Sequence, residues 1–338
     1  MKKLLRSIRL GPLAALAVFA ALVAAAVWAV FAVMRTIPQR TVVMAAYPEG
    51  SLNAELVKRY QEVLAREGIK LKPAPSAGAV ESLALLRDPK SSVNVALVPE
   101  GLTTVEESPG LLSLGTMYYQ PLWIFTRGRF QQGDRSPRGL RISVGPEGSS
   151  SHAFALMLLS RAGIIGKKTT ILLSLTPVES AEELIRGEID ATVLLEGWES
   201  PVVQQLLMTK GVQPLSMPRA DAFVALYPYL SKLELPAGVV DMSQPWPRKE
   251  VVLIAPKSSL VLREDIDPAI QYLLLQAAVE IHSTPGIFRA AGEFPAAESI
   301  GLPLSPYARD FYKKGLTSSP RNSSAKITPG CPRTSLGH

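Results

Sequence analysis

Three short turns carry the residues best suited to bind a ligand, and each lies between a β-rich run and an amphipathic run. They span residues 47–51, 76–79 and 145–151 and draw mainly on Gly, Pro, Ser and Ala. Such turns point backbone N–H groups at one place, and a helix that follows favours an anionic group at its N-terminus. One turn alone is weak evidence, because any α/β protein needs these residues to leave a strand. Together they predict a site for a carboxylate-bearing ligand.

Neither a nucleotide site nor a serine hydrolase site is predicted. Turn 145–151 lacks the GxGxxG spacing, and no Gly-Lys-Ser or Gly-Lys-Thr follows it. Ser150 and Ser151 stand beside His152, but neighbouring residues on one helix turn do not face each other, and no GxSxG elbow is present. The sequence therefore favours a binding protein over an enzyme, with no catalytic residue and no cofactor.

Two further groups of residues have open interpretations. Glu196 and Glu199 follow a predicted strand, where acid–base chemistry is conceivable, although a solvated turn is the more ordinary role. Tyr227 and Tyr229 suit a ligand cleft and a packed core equally. The single cysteine, Cys331, excludes an intrachain disulfide and a thiolate metal site, and the three histidines are too scattered for a metal cluster.

The elements that must position these turns alternate between β-rich and amphipathic runs, which predicts an α/β fold. The predicted strands are Thr41–Ala46, Ile69–Ala74, Val93–Val98, Leu111–Tyr119, Leu122–Thr126, Leu140–Val144, Thr170–Leu175, Asp190–Leu195 and Glu250–Ala255. The predicted helices are Leu52–Arg66, Val80–Leu86, His152–Ala162, Ser180–Arg186 with a capping box from Ser180 to Glu183, Pro201–Leu207 and Pro268–Ile281.

The pattern restarts after a Gly-, Pro- and Arg-rich stretch, which predicts two lobes. The chain is expected to cross between lobes at 127–139 and to return near Trp246. Lobe 1 is then 41–126 with 250–312, and lobe 2 is 140–245. Order should fade past Pro306, and the polar segment 315–338 is predicted to be a disordered tail.

The net charge of +7 is concentrated at the two ends of the chain. Residues 1–40 and 313–338 hold eleven cations and no acid, and the rest of the chain has 25 basic against 29 acidic side chains. A slightly acidic body without a basic stripe does not fit a phosphate backbone, so no nucleic-acid partner is predicted.

The first forty residues resemble a membrane anchor. Segment 11–34 is uncharged and apolar, and as a helix it is about 36 Å long, enough to cross a bilayer. It exceeds the usual apolar region of a cleavable signal peptide, which is the competing interpretation. More cations precede the span than follow it, so residues 1–10 are expected in the cytoplasm and the body outside it, at the inner membrane.

Several stretches of the body, taken in order, resemble the TAXI-type solute receptors of tripartite ATP-independent periplasmic (TRAP) transporters. The resemblance covers roughly residues 41–312. Its carrying segments are Tyr47-Pro48-Glu49-Gly50-Ser51, Val98-Pro99-Glu100-Gly101, Gly145-Pro146-Glu147-Gly148-Ser149-Ser150, Ile189-Asp190-Ala191-Thr192-Val193 ahead of Glu196-Gly197, and Tyr227-Pro228-Tyr229-Leu230.

The resemblance implies a type II periplasmic-binding-protein fold, two α/β lobes joined by a hinge that close over a small organic anion such as a carboxylate or an amino acid. The implied partners are the solute and membrane permease subunits. The same fold serves receptors of ATP-driven (ABC) importers, and an anchored regulatory or scaffold protein that has lost its ligand is a third hypothesis. The resemblance assigns ligand contact to Tyr47, Ser51, Ser76, Glu100, Gly148, Ser149, Ser150 and Tyr227.

Overall fold

The computed structural model describes residues 41–127, 139–164 and 170–314, together with Phe19, Leu22, Val23 and Trp28. Residues 1–40 and 41–338 are separate compact units. Apart from those four helical, exposed positions, the predicted cytoplasmic segment 1–10 and anchor 11–34 lie outside the described residues, as does the predicted tail 315–338. Within the described ranges, no helix combines the length and apolarity needed to cross a membrane.

The body is a mixed α/β structure. Its strands are β1 (Thr41–Ala46), β2 (Lys70–Pro75), β3 (Val95–Pro99), β4 (Leu111–Tyr119), β5 (Leu122–Arg127), β6 (Arg141–Ser143), β7 (Ile171–Leu173), β8 (Ala191–Leu195), β9 (Val212–Pro214), β10 (Leu230–Leu235) and β11 (Val251–Arg263). Its helices are α1 (Leu52–Arg66), α2 (Ala79–Arg87), α3 (Ser150–Arg161), α4 (Pro177–Arg186), α5 (Pro201–Met208), α6 (Ala220–Leu226), α7 (Pro268–His282) and α8 (Pro306–Lys313).

The strands run in the order β2-β1-β3-β11-β5-β8-β6-β7, and the long strand β11 divides that order into two sheets. Its C-terminal half pairs antiparallel with β3 and β4, and its N-terminal half pairs with β10 and β5. We call β1–β4, the C-terminal half of β11 and α1, α2, α7 and α8 the first lobe. The second lobe is β5–β10, the N-terminal half of β11 and α3–α6.

Two chain crossings join the lobes, and strand pairing moves both from their predicted places. The first lies at Gln120–Pro121, because β5 pairs with β8 and β9 of the second lobe. The second lies inside β11 at Pro256–Lys257, where the pairing partner changes from β10 to β4. Residues 122–126 and 250–256, predicted for lobe 1, thus belong to the second sheet. Both runs have the expected strand pattern, but hydrophobic pattern does not reveal which sheet a strand joins.

Local chemistry explains why the helices begin where they do. Ser51 has extended backbone angles and its Oγ accepts from the Ala54 N–H, so α1 starts at the predicted residue. The capping box of α4, however, is formed by Thr176 and Glu179 and not by the predicted Ser180 and Glu183. Pro177 at the first helical position favours that earlier start, and Ser180 is instead buried against Ser143.

Order continues past Pro306, contrary to the sequence expectation. Residues 306–313 form α8, capped by Ser305 and packed on α7. Tyr312 donates a hydrogen bond to the Leu114 carbonyl at 2.9 Å, which ties this helix to β4. Each lobe has its own buried apolar clusters, so each sheet is covered by helices of its own lobe.

Candidate functional site

The predicted turns of the two lobes face each other. Tyr47 follows β1 and Glu100 follows β3 in the first lobe, whereas Gly148 and Glu196 follow β6 and β8 in the second. These positions lie at the carboxyl ends of their strands, where ligands bind in open α/β sheets. The region between them, which we call the cleft, is therefore the candidate site.

Tyr47 and Ser51 organise the first turn. The Tyr47 hydroxyl donates to the Leu97 carbonyl at 2.6 Å, and its backbone N–H donates to Asn53 Oδ1 at 2.9 Å. Burial raises the pKa of the Tyr47 phenol well above its ordinary value, so this side chain stays neutral. Ser51 is buried and is used twice within its own turn, as the cap of α1 and as a donor to the Pro48 carbonyl at 2.7 Å.

Ser76, Gly148 and Ser149 meet where α2 begins. Ser76 Oγ lies 2.9 Å from both the Gly78 carbonyl oxygen and Ser82 Oγ, so it fixes the turn before α2. The Gly148 carbonyl accepts from the N–H groups of Val80 and Glu81 at 3.2 and 3.3 Å, and so bonds the second lobe to the first turn of α2.

The lobes also approach closely at Gly78. A Cβ on Gly78 would lie 2.6 Å from Ser149 Cα, and the Gly78 φ of +156° also disfavours a side chain. Ser149 caps α3 by accepting from the His152 N–H at 3.1 Å, and Ser150 is buried at the start of that helix. This part of the cleft is therefore in direct contact in the present structure.

Glu100 lies beneath the surface of the first lobe, with internal hydrogen-bond partners. Its Oε1 accepts from Ser259 Oγ at 2.9 Å and from the Ile300 N–H at 3.0 Å. Burial raises its pKa, and the Ile300 amide, the Ser259 hydroxyl and Lys257 oppose that rise. The adjacent cavity is only about 10 Å³, room for one water molecule.

Glu196 is a residue of the cleft that the sequence did not single out as a contact. It is 6% exposed, and its Oε2 accepts from the Leu52 N–H, at the start of α1, at 3.2 Å. Burial raises the pKa of Glu196 to about 7, against the opposing effects of the Leu52 amide and the Ser200 hydroxyl. Glu49 and Glu147, by contrast, are exposed, so the four turn glutamates have two different environments.

Tyr229 contacts the opposite lobe. Its ring packs directly on the backbone of Gly101. Tyr227 accepts a hydrogen bond from Arg161 Nε at 2.8 Å and stacks on Phe223, both within the second lobe. The Leu226–Leu230 run contained both tyrosines, and only the tertiary structure distinguishes them.

Acidic and histidine side chains do not assemble into a metal site anywhere in the described part of the chain. His152 donates from Nδ1 to the Gly145 carbonyl at 3.1 Å, which is a structural role in turn 145–151. His282 is buried in the first lobe with its Nε2 3.1 Å from the Tyr60 hydroxyl. The two histidines thus belong to different lobes and separate environments.

A sequence model of the NMT1-like family matches residues 113–314. The chain belongs to that family. NMT1-like proteins are solute-binding proteins of transport systems and not enzymes, as the sequence predicted. The match takes in both chain crossings and the whole second lobe, together with β4, α7 and α8 of the first.

Several solved structures are similar at low identity. A protein from Bordetella bronchiseptica RB50 has a TM-score of 0.49 and 16% identity, covering 71% of this chain and 70% of its own. The periplasmic aliphatic sulphonate binding protein SsuA from Escherichia coli has a TM-score of 0.41 and 17% identity, covering 71% and 72%. The periplasmic binding protein BugD has a TM-score of 0.45 and 15% identity, covering 72% and 82%.

Proposed function

We propose that this NMT1-like protein is an extracytoplasmic, membrane-anchored receptor that captures a small organic anion by hinge closure and delivers it to a TRAP-type permease. The observation that carries the proposal is the convergence of strand ends and helix N-termini from two lobes on one cleft, across two short crossings. A helix N-terminus favours negative charge, and a hinge of few residues permits closure. The TAXI-like order of the turns supports the TRAP partner.

The proposed contacts differ in how free they are to meet a solute. Glu100 and Ser76 are occupied by internal hydrogen bonds, and Tyr227 contacts Arg161. Ser51 and Ser149 are likewise bonded within their own turns, whereas the N–H groups of Leu52, Val80 and Glu81, which begin α1 and α2, bond to the other lobe and require only a separation of the lobes to become available. We expect the solute's anionic group there.

Thermal unfolding of the full chain in detergent tests this proposal, with a panel of carboxylates, amino acids and small amines. Binding to the native state raises the unfolding midpoint. We expect a rise of several degrees with one class of carboxylate, and its loss in Tyr47→Phe and Ser149→Ala. Tyr272→Phe, at an exposed ring of α7 that packs on Phe311, is the matched control. A panel without effect on a chain that unfolds cooperatively contradicts the receptor.

The permease type requires a separate experiment. An ABC importer receptor has the same fold requirements, so the energy source decides between the partners. Uptake by membrane vesicles should depend on an ion gradient and not on ATP if the partner is of the TRAP type. Uptake that stops when ATP is withdrawn assigns the protein to an ABC importer.

A ligand-free scaffold is the second candidate function, and one contact favours it. The Glu196 carboxylate lies at the α1 N-terminus, in the position proposed for the solute's anionic group. A protein that no longer binds solute has no need to keep that position free. A thermal panel without response in both the wild type and a Glu196→Ala variant selects the scaffold.

A further inference from the structure

Glu196 makes the kind of contact expected of a bound anion. The first N–H groups of a helix have no partner within the helix and carry a partial positive charge. In α1, Ser51 Oγ satisfies the Ala54 N–H, and the Leu52 N–H is satisfied by Glu196 Oε2 from the other lobe. A carboxyl group of the protein itself thus occupies a position suited to a solute carboxylate.

The N–H groups at the start of a second helix in the first lobe also bond to an oxygen of the second lobe. The Gly148 carbonyl accepts from the first-turn N–H groups of α2. Oxygen atoms of the second lobe therefore reach both helix N-termini that the first lobe presents to the cleft. Two independent contacts of one type indicate that the lobes are held closed by internal acceptors.

Unused hydrogen-bonding capacity lies beside the Glu196 contact. The buried side-chain polar atoms that lack a hydrogen-bond partner in the described ranges include Asn53 Nδ2. Asn53 is the second residue of α1 and directly follows Leu52, whose N–H donates to Glu196. A buried polar group without a partner is costly, and a solute entering here has this donor to satisfy.

Within the ranges that the structure describes, Glu196 makes no ion pair. The phenols of Tyr47 and Tyr118, which act electrostatically with it, are both kept neutral by burial. Glu199, in the same turn, pairs with Arg289 at 3.1 Å, so that cation is already taken. The α1 N–H, with the Ser200 hydroxyl beside it, holds the carboxyl in the cleft.

We propose that the Glu196 carboxyl group is an internal ligand that closes the cleft without solute, and that a solute carboxylate must displace it from the α1 N-terminus. Only the second half of this inference, the displacement of Glu196 by a solute, rests on the proposed function. A closed state that the protein makes by itself lowers the fraction competent to bind, and hence the apparent affinity for solute. Glu196 then sets the solute concentration at which the receptor responds.

Interlobe distance measurements on the full chain test the first half. Cys331 is replaced by Ser, and spin labels are attached at Glu62→Cys in the first lobe and Lys210→Cys in the second, both exposed positions. We expect Glu196→Ala to lengthen the distance without solute and added acetate to restore it. Glu147→Ala, which removes an exposed glutamate from turn 145–151, should stay closed and ignore acetate.

Removing the donor gives a second test that leaves Glu196 in place. Leu52→Pro deletes the α1 N–H at the one helix position that tolerates proline, and the extended Ser51 backbone suits a residue before proline. Leu52→Ala keeps the N–H and removes the same side chain. We expect Leu52→Pro to open the cleft and added acetate to leave it open. Leu52→Ala should keep the closed interlobe distance.

The outcomes separate this inference from the proposed function. A Glu196→Ala protein with the wild-type distance, or one that opens but does not respond to acetate, overturns the internal-ligand role whether or not any solute binds. If Glu196→Ala does not unfold cooperatively, Leu52→Pro against Leu52→Ala decides in its place. Solute affinity is then compared in the wild type and Glu196→Ala, and we expect the variant to bind a carboxylate on the order of tenfold more tightly.

Discussion

Ser258 Oγ donates a hydrogen bond to Gln120 Oε1 at 2.9 Å, and this pair joins the two chain crossings between the lobes. The Gln120 N–H donates to the Pro256 carbonyl at 2.9 Å, and its Nε2 donates to the Leu195 carbonyl at 3.0 Å. A single side chain thus links both crossings to β8, the strand that leads to Glu196. Gln120 therefore bonds the hinge to the strand that leads into the cleft.

Replacing Gln120 with Ala should destabilise the protein, because it leaves buried polar groups without partners. We expect a loss of about 1–3 kcal/mol in the free energy of unfolding, measured by urea denaturation of the full chain in detergent. Ser258→Ala should cost less, and the double variant should show a coupling energy of about 1 kcal/mol. Strict additivity of the two single changes argues against a linked hinge.

The Glu196 carboxyl should make stability depend on pH in a defined direction. Its pKa is about 7 in the folded protein and 4.5 in the ordinary state, so the folded state binds the proton more tightly. Its stabilising effect is fully present below about pH 4.5 and is lost as pH rises to about 7, a change of up to about 3 kcal/mol.

Glu196→Gln isolates this effect, since Tyr47 and Tyr118 do not titrate in that window. The difference in unfolding free energy between variant and wild type should grow in favour of Gln as pH rises from 4.5 to 7. A difference that stays constant with pH places Glu196 in a solvated environment.

The buried His282 should make stability depend on pH in the opposite direction. Burial is the main reason that its pKa is lowered to about 3, so the native state holds it neutral. The contribution of neutral His282 to the free energy of unfolding is fully present above the ordinary pKa of 6.5. It decreases as pH falls, by about 2 kcal/mol between pH 6.5 and 5. Urea titrations of wild type and His282→Gln at pH 7.5 and 5 should show this loss only in the wild type. Equal losses in both proteins assign acid sensitivity to other groups.

Gly78→Ala should separate the lobes, because the new Cβ would meet Ser149 across the cleft. We expect a longer interlobe distance in the spin-label assay, together with a stability loss of about 1–3 kcal/mol. Gly68→Ala is the matched control, since Gly68 also has a positive φ, of +75°, but nothing lies near its Cβ position. The control should lose about 1 kcal/mol of stability and keep the wild-type distance.

Local features were predicted well where one short segment contains all the determinants. The helix Leu52–Arg66 has its cap, its apolar spacing and its terminating glycine within eighteen consecutive positions, and the structure gives the same bounds. The capping box of α4 shows the limit of this approach. Ser180 and Glu183 have the correct spacing, but Thr176 and Glu179 have it too, with Pro177 to favour them.

The relationships that define the cleft were not predictable from local pattern. Glu196 and Leu52 are 144 residues apart, and Ser258 and Gln120 are 138 apart. Their contacts depend on which sheet β5 and each half of β11 join, and alternation of apolar residues is the same in either sheet. For the same reason the sequence identified the Leu226–Leu230 run without distinguishing Tyr229, which contacts Gly101, from Tyr227.

Calorimetric titration of the full chain with the carboxylate selected by thermal unfolding tests the receptor most directly. We predict saturable binding of one solute per chain to the wild type, and tighter binding of the same solute to Glu196→Ala. Absence of binding to both proteins, while both unfold cooperatively, would contradict the account and leave a closed scaffold that has kept the fold without its ligand.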